Sequence, residues 1–214
     1  MARRRRKKRS VRILIPLLSL LIFSVFIVTY LLPEVTGKSS RSAFRTTKDL
    51  DMPTINQQLL TPNEYSRPQT PLKKVKGIVV HYVGNPGTSA EANRNYFNGL
   101  ATSKQTYASS HFIVDLDGSI IQCIPLDEIA YASNKRNEDT ISIEVCHPDE
   151  TGEFTQDSYN SLVHLVAWLS TKYNLTPDQI IRHYDVTGKL CPLYYVTNED
   201  KWQTFKSDIT QLLH

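Results

Sequence analysis

Cysteine is scarce in this chain of 214 residues: Cys123, Cys146 and Cys191 are the three present. That count excludes a small fold stapled by several disulfides. Acidic residues are missing from the first dozen positions, where Arg3, Arg4, Arg5, Arg6, Lys7, Lys8, Arg9 and Arg12 bring eight positive charges. Without those eight, the 25 basic residues fall to 17 against 21 acidic ones, and the formal charge of +4 becomes −4. The remainder therefore lacks the basic excess of a nucleic-acid-binding face. Internal repeats are absent. Charge is also absent between Ile13 and Leu32, the one long apolar run.

That run, roughly 20 residues, is long enough to cross a bilayer as a helix. The basic cluster before it is expected to stay in the cytoplasm and to place everything after Leu32 outside. A cleavable signal peptide has a shorter apolar core and a small-x-small site, and Val35-Thr36-Gly37 is a poor version of one. The expectation is a single-pass membrane protein with a cytoplasmic N-terminus; the alternative is a chain secreted after cleavage. The organisation reads as a basic arm at 1–12, a transmembrane anchor at 13–32, an extracellular linker or strap at 33–75 and a compact domain at 76–214. Within the strap, Pro53, Pro62, Pro68 and Pro71 predict extended, irregular chain, with a short helical turn at Leu59-Leu60.

With 40% hydrophobic and 21% charged residues, a packed core is expected. Gly77–Val83 reads as a strand. Thr88-Ser-Ala-Glu91 is a capping box opening a helix through about Leu100. His111–Leu116 and Ser119–Ile124 form a hairpin around Asp117-Gly118. Thr140–Cys146 alternates, with Ile141, Ile143 and Val145 on one face and Ser142 and Glu144 on the other. Tyr159, Leu162, Val166, Leu169 and Tyr173 recur at helical spacing over Gln156–Tyr173. Thr176-Pro-Asp-Gln179 starts another helix ahead of a short strand ending at His183. Trp202, Phe205, Ile209 and Leu212 mark a last helix over 198–213. The predicted class is α/β, a mixed central sheet flanked by helices, following the transmembrane helix and linker.

Three residues carry the strongest chemical signal. His81 ends the apolar run Gly77-Ile-Val-Val, His183 ends Ile180-Ile-Arg, and Cys191 follows eight residues later. Gly188 permits a tight turn between the last two, and Pro192 stiffens the exit. Alone, a histidine at a strand end is ordinarily structural. Together the three make an N/N/S set suited to Zn²⁺, and three protein ligands leave the fourth position open, as in catalytic zinc sites. Cys123 and Cys146 are then left as a possible pair or as two separately buried thiols.

These motifs occur in a recognisable order: Gly77-Ile-Val-Val-His81, Ser109-Ser-His-Phe-Ile-Val-Asp115, Ile141-Ser-Ile-Glu-Val145 and His183…Lys189-Leu-Cys191-Pro192. From about Lys76 to the C-terminus the chain resembles the zinc-dependent N-acetylmuramoyl-L-alanine amidases of the type shared by phage lysozyme-like amidases and peptidoglycan recognition proteins. The resemblance implies zinc on His81, His183 and Cys191, and peptidoglycan as the substrate, cut between N-acetylmuramic acid and L-alanine. It implies Glu144 as the general base, and Lys189 as a cation for the oxyanion of the tetrahedral intermediate. Many relatives carry Tyr where this chain has Ser110, so a tyrosine contribution from that position is absent, or Tyr107 or Tyr82 substitutes from elsewhere. His111 and His147 are candidates for extra ligands or for orienting groups; His164 reads as structural or solvent-facing. Two other readings compete: a cysteine peptidase using Cys191, disfavoured because Pro192-Leu-Tyr-Tyr does not announce a helix start, and a non-catalytic peptidoglycan-binding module on the same fold.

Overall fold

A computed structural model of the chain describes residues 50–214. The basic arm, the apolar run at 13–32 and the start of the spacer lie outside the described residues. Among the described residues, no helix is long and apolar enough to cross a membrane.

Six strands form one mixed sheet: β1 (Asn56–Gln57), β2 (Gly77–Val80), β3 (Phe112–Val114), β4 (Ile120–Gln122), β5 (Thr140–Val145) and β6 (Ile180–Arg182). Their spatial order is β1-β4-β3-β5-β2-β6. Only the β3–β4 pairing is antiparallel. That pair is the hairpin expected from Asp117-Gly118. Gly118 supplies the positive φ of 81°, and Asp117 Oδ1 accepts the Ser119 N–H at 2.9 Å.

Helix α1 (Ala90–Ser103) covers one face of the sheet, and α2 (Gln156–Tyr173) with α5 (Glu199–Leu212) covers the other. The alternation of β5 divides as its sequence requires, with Ile141, Ile143 and Val145 in the α2/α5 core. Leu162, Val166 and Leu169 of α2 meet them there, and so do Trp202, Phe205 and Ile209 of α5. Fully burying each such side chain is worth roughly 1.5–3 kcal/mol. Phe97 and Leu100 of α1 pack on Ile113, Ile121 and Cys123 across the sheet.

Several boundaries differ from the sequence expectation. The cap of α1 is Ser89 rather than Thr88: its hydroxyl accepts the Ala92 N–H at 3.2 Å, and the helix runs three residues past Leu100 to a left-handed Lys104. Pro177–Gln179 is a single 3₁₀ turn, because β6 begins at Ile180 and claims the backbone. The helical turn expected at Leu59-Leu60 is absent. Instead Asn56–Gln57 pairs parallel with β4, and the Leu60 N–H continues that ladder to the Cys123 carbonyl at 2.9 Å. Leu60 is wholly buried under α1. Arg67 then fastens this strap by donating from Nε and Nη2 to both Glu128 oxygens, at 2.9 and 2.8 Å, and from Nη1 to the Leu60 carbonyl at 2.8 Å.

Candidate metal centre

Parallel register assembles the site. Val80 of β2 lies opposite Ile143 of β5 on one side and Arg182 of β6 on the other. The next residues on the three strands are His81, Glu144 and His183, which therefore stand abreast at the carboxyl ends of neighbouring strands. The His81 N–H still pairs with the Ile143 carbonyl at 2.8 Å. The two imidazole centroids are 4.6 Å apart.

His183 is the first residue of a five-residue helix, α3 (His183–Thr187), that ends at Gly188 with φ 79°. The chain then doubles back, and the Tyr184 N–H donates to the Cys191 carbonyl at 2.9 Å. This closure brings the Cys191 sulfur to 3.9 Å from His81 Nδ1. One donor atom from each of His81, His183 and Cys191 lies within 4.8 Å of the others, and all three residues are buried. A second short helix, α4 (Leu193–Thr197), begins immediately after Pro192; the sequence expectation of no helix start there is corrected. Arg182 locks the arrangement from behind. Its guanidinium bonds both Asp185 oxygens, Glu199 and the Tyr195 carbonyl, and it lies 5.3 Å from the centre of the Trp202 ring.

The electrostatics leave two neutral imidazoles and argue against an unassisted thiol nucleophile. Burial, then the cationic forms of His183 and Lys189, hold His81 well below the ordinary histidine range, and burial with Lys189 lowers His183. Both rings are thus neutral and have lone pairs to give. Burial pushes the Cys191 thiol up to about 12, reinforced by Glu144 and opposed by the Tyr82 backbone N–H and Lys189. A cysteine nucleophile needs the opposite shift, even with α4 starting two residues on. A divalent cation supplies the charge that this sulfur otherwise lacks.

Glu144 Oε1 is 4.0 Å from His81 Nδ1. Its Oε2 is buried with no hydrogen-bond partner, a state shared among the described residues only with Ser170 Oγ. Burial pushes the carboxyl up to about 8, with Lys189 pulling it down. Lys189 itself is solvent-exposed on the loop between His183 and Cys191.

The remaining candidates lie elsewhere. His111 is buried, with Nδ1 3.0 Å from both the backbone nitrogen and the hydroxyl of Ser142 and Nε2 facing the Glu128 carbonyl at 2.9 Å. His147 clamps the Asp149 and Val83 carbonyls at 2.7 and 2.8 Å. The Tyr82 ring stacks on it at 4.9 Å. His164 faces the Asp51 carbonyl at 2.9 Å, away from the trio. Tyr107 bonds Glu64 and stacks on Tyr65 on the strap side, while Ser110 is buried against the Phe112 and Ser142 carbonyls. Cys123 and Cys146 are separate buried thiols. Ser133 and Asn134, whose side chains touch the two histidine rings, carried no signal in the sequence. Each sits about 50 positions from its partner along the chain.

The fold and site together define a mixed-sheet α/β domain with a buried N/N/S donor trio and an unpartnered carboxylate at the strand ends. Residues 71–193 match the family model for N-acetylmuramoyl-L-alanine amidase, more than half of the chain, and the protein belongs to that family. The chain is 35% identical over 164 residues to N-acetylmuramoyl-L-alanine amidase CwlL of Bacillus licheniformis, covering 71% of this chain and 45% of that one. It is 34% identical over 179 residues to N-acetylmuramoyl-L-alanine amidase BlyA of Bacillus subtilis strain 168, covering 74% and 47%. It thus spans about half the length of the curated relatives it matches. Among solved structures, that of PlyL aligns at a TM-score of 0.61 and 30% identity, over 73% of this chain and 96% of that one. The catalytic domain of XlyA aligns at 0.61 and 25%, over 73% and 99%.

Proposed function

We propose that this protein is a peptidoglycan hydrolase cleaving the amide between N-acetylmuramic acid and L-alanine, with zinc held by His81, His183 and Cys191. The carrying observation is the convergence of those three donors beside a buried carboxylate that has one oxygen unpartnered. The donor set fits the metal: two neutral nitrogens and one sulfur, each from a separate segment, close enough to share one cation. Bound zinc supplies Lewis-acid polarisation of a carbonyl oxygen and lowers the pKa of water to about 7.

The chain's own groups supply the rest. Glu144, in its ionised form, accepts a proton from the attacking water at Oε2, the oxygen left without a partner, and delivers it to the departing L-alanine nitrogen; burial opposes that ionised form, and the charge of Lys189 favours it. Lys189, on the exposed loop, places an ammonium where the oxyanion develops. His81 and His183 stay neutral throughout because burial disfavours their charged forms.

Digestion of purified peptidoglycan by the full chain tests this reading. Stem peptides with a new L-alanine amino terminus, and glycan chains left intact, are expected. Activity surviving zinc removal but lost on thiol alkylation would support the cysteine-peptidase alternative, and intact peptidoglycan a binding module. The apolar run at 13–32 and the basic arm support a further part of the proposal: a domain tethered to the outer face of the cell membrane, with its N-terminus in the cytoplasm. Protease protection of the arm in sealed cells, with the C-terminal domain accessible outside, checks that topology.

A further inference from the structure

Each histidine of the trio has two ring nitrogens, and only one faces the shared centre. His81 turns Nδ1 toward Cys191 and Glu144, and its Nε2 lies 3.0 Å from the hydroxyl of Ser133. His183 has Nε2 3.0 Å from Asn134 Oδ1, which leaves Nδ1 as its free nitrogen. A carbonyl oxygen only accepts, so the His183 proton belongs on Nε2. A hydroxyl does either, and it accepts once the Nδ1 lone pair of His81 is committed elsewhere.

The two partners are consecutive residues of one turn, held by the sequence around it. Ser133 is buried, and the Ala132 and Ser133 N–H groups both donate to Asn137 Oδ1, at 3.1 and 2.6 Å. Asn134 then takes φ 53°, in the left-handed region that asparagine tolerates better than other residues with a Cβ. That conformation aims its amide at His183 while Ser133 points at His81. The 3₁₀ turn Asn134–Arg136 follows at once and is tied to β5 by Thr140 Oγ1 donating to the Arg136 carbonyl at 2.6 Å.

We propose that Ser133 and Asn134 are positioning residues: by accepting the Nε2 protons of His81 and His183, this single turn fixes both rings in the tautomer whose Nδ1 lone pairs converge with Cys191. The inference rests on the reading that those three residues hold zinc. A ring free to rotate or to change tautomer spends part of its time with a proton facing the metal. Outer-sphere partners of this kind ordinarily contribute 10–100-fold in metal affinity.

The test uses the full chain. In metal-free wild type, long-range ¹H–¹⁵N spectra should show His81 and His183 both protonated at Nε2. Zinc dissociation constants measured by chelator competition should rise about 10–100-fold in Asn134→Gly, which keeps the positive φ open while removing the acceptor. Ser133→Ala should do the same, with a larger effect in the double variant. Asn134→Asp, still an acceptor, should bind zinc at least as tightly as wild type. Thermal melts of the metal-free variants check folding, and should Ser133→Ala melt, the Asn134 pair decides alone. Affinity within twofold of wild type in Asn134→Gly, or an Nδ1 proton on either ring, overturns the inference while leaving zinc binding intact. Absence of zinc binding in wild type overturns the proposed function, and the tautomer measurement still decides whether the turn selects the rings.

Discussion

His111 offers a test of the fold that is independent of the metal. Its ring is buried, Nδ1 faces a backbone N–H and Nε2 faces a backbone carbonyl. Those partners suit a neutral imidazole protonated at Nε2, whose Nδ1 accepts from the Ser142 N–H; a second proton on Nδ1 keeps the Ser142 hydroxyl, 3.0 Å away, as an acceptor but loses that backbone bond. Burial accordingly lowers its pKa from 6.5 to about 4, with the Glu128 carbonyl opposing. In the unfolded chain it returns to about 6.5. Between those values the unfolded state binds the extra proton, so stability is complete above about pH 6.5 and falls as pH drops towards 4. At 1.36 kcal/mol per unit, the loss across that window is about 3 kcal/mol. His111→Gln retains a donor for the Glu128 carbonyl and cannot titrate. Urea unfolding of wild type and variant at pH 7, 5.5 and 4 isolates the effect, because every other titrating group cancels in the difference. Wild type should lose about 3 kcal/mol more than the variant on going from pH 7 to pH 4. A difference between the two proteins that stays constant across this range refutes the assignment of His111 as a buried neutral ring.

Other consequences follow from named contacts. Glu144→Gln should retain zinc and lower kcat by 10²–10⁴, the scale of general acid–base catalysis; an unchanged rate on purified peptidoglycan places the base elsewhere. Lys189→Met should reduce kcat by about 10²-fold with little change in KM, as loss of an oxyanion donor does, and an effect confined to KM contradicts that role. Arg67→Ala should cost about 2–4 kcal/mol, because it strands the Glu128 carboxylate, which is 14% exposed, and frees the Leu60 carbonyl. Proteolysis within residues 50–70 of this variant, at doses that spare wild type, should accompany the loss.

The elements legible in the sequence were those whose signals are local. The period of Leu162, Val166 and Leu169 placed α2 at its observed ends, Asp117-Gly118 marked the hairpin, and the alternation of Ile141 to Val145 gave β5 its faces. Strand order was not legible. Nothing near Gly77 or Ile180 says that β2 lies between β5 and β6, and that placement sets Glu144 and His183 on either side of His81. Residue type and motif order nominated the trio, whereas its convergence is a product of register. The strap was misread at Leu59-Leu60 because two leucines suit a helical turn and a buried strand equally well; the free edge of β4 decides between them. Ser133 and Asn134 lay beyond sequence reasoning, since a Ser-Asn pair in a turn is ordinary until two rings from distant strands arrive beside it.

The most direct measurement is the zinc content of the purified full chain beside that of Cys191→Ala. One equivalent per chain in wild type, and loss of tightly held metal in the variant, are the predicted results. A wild-type protein without zinc, or a variant that keeps a full equivalent, contradicts the account.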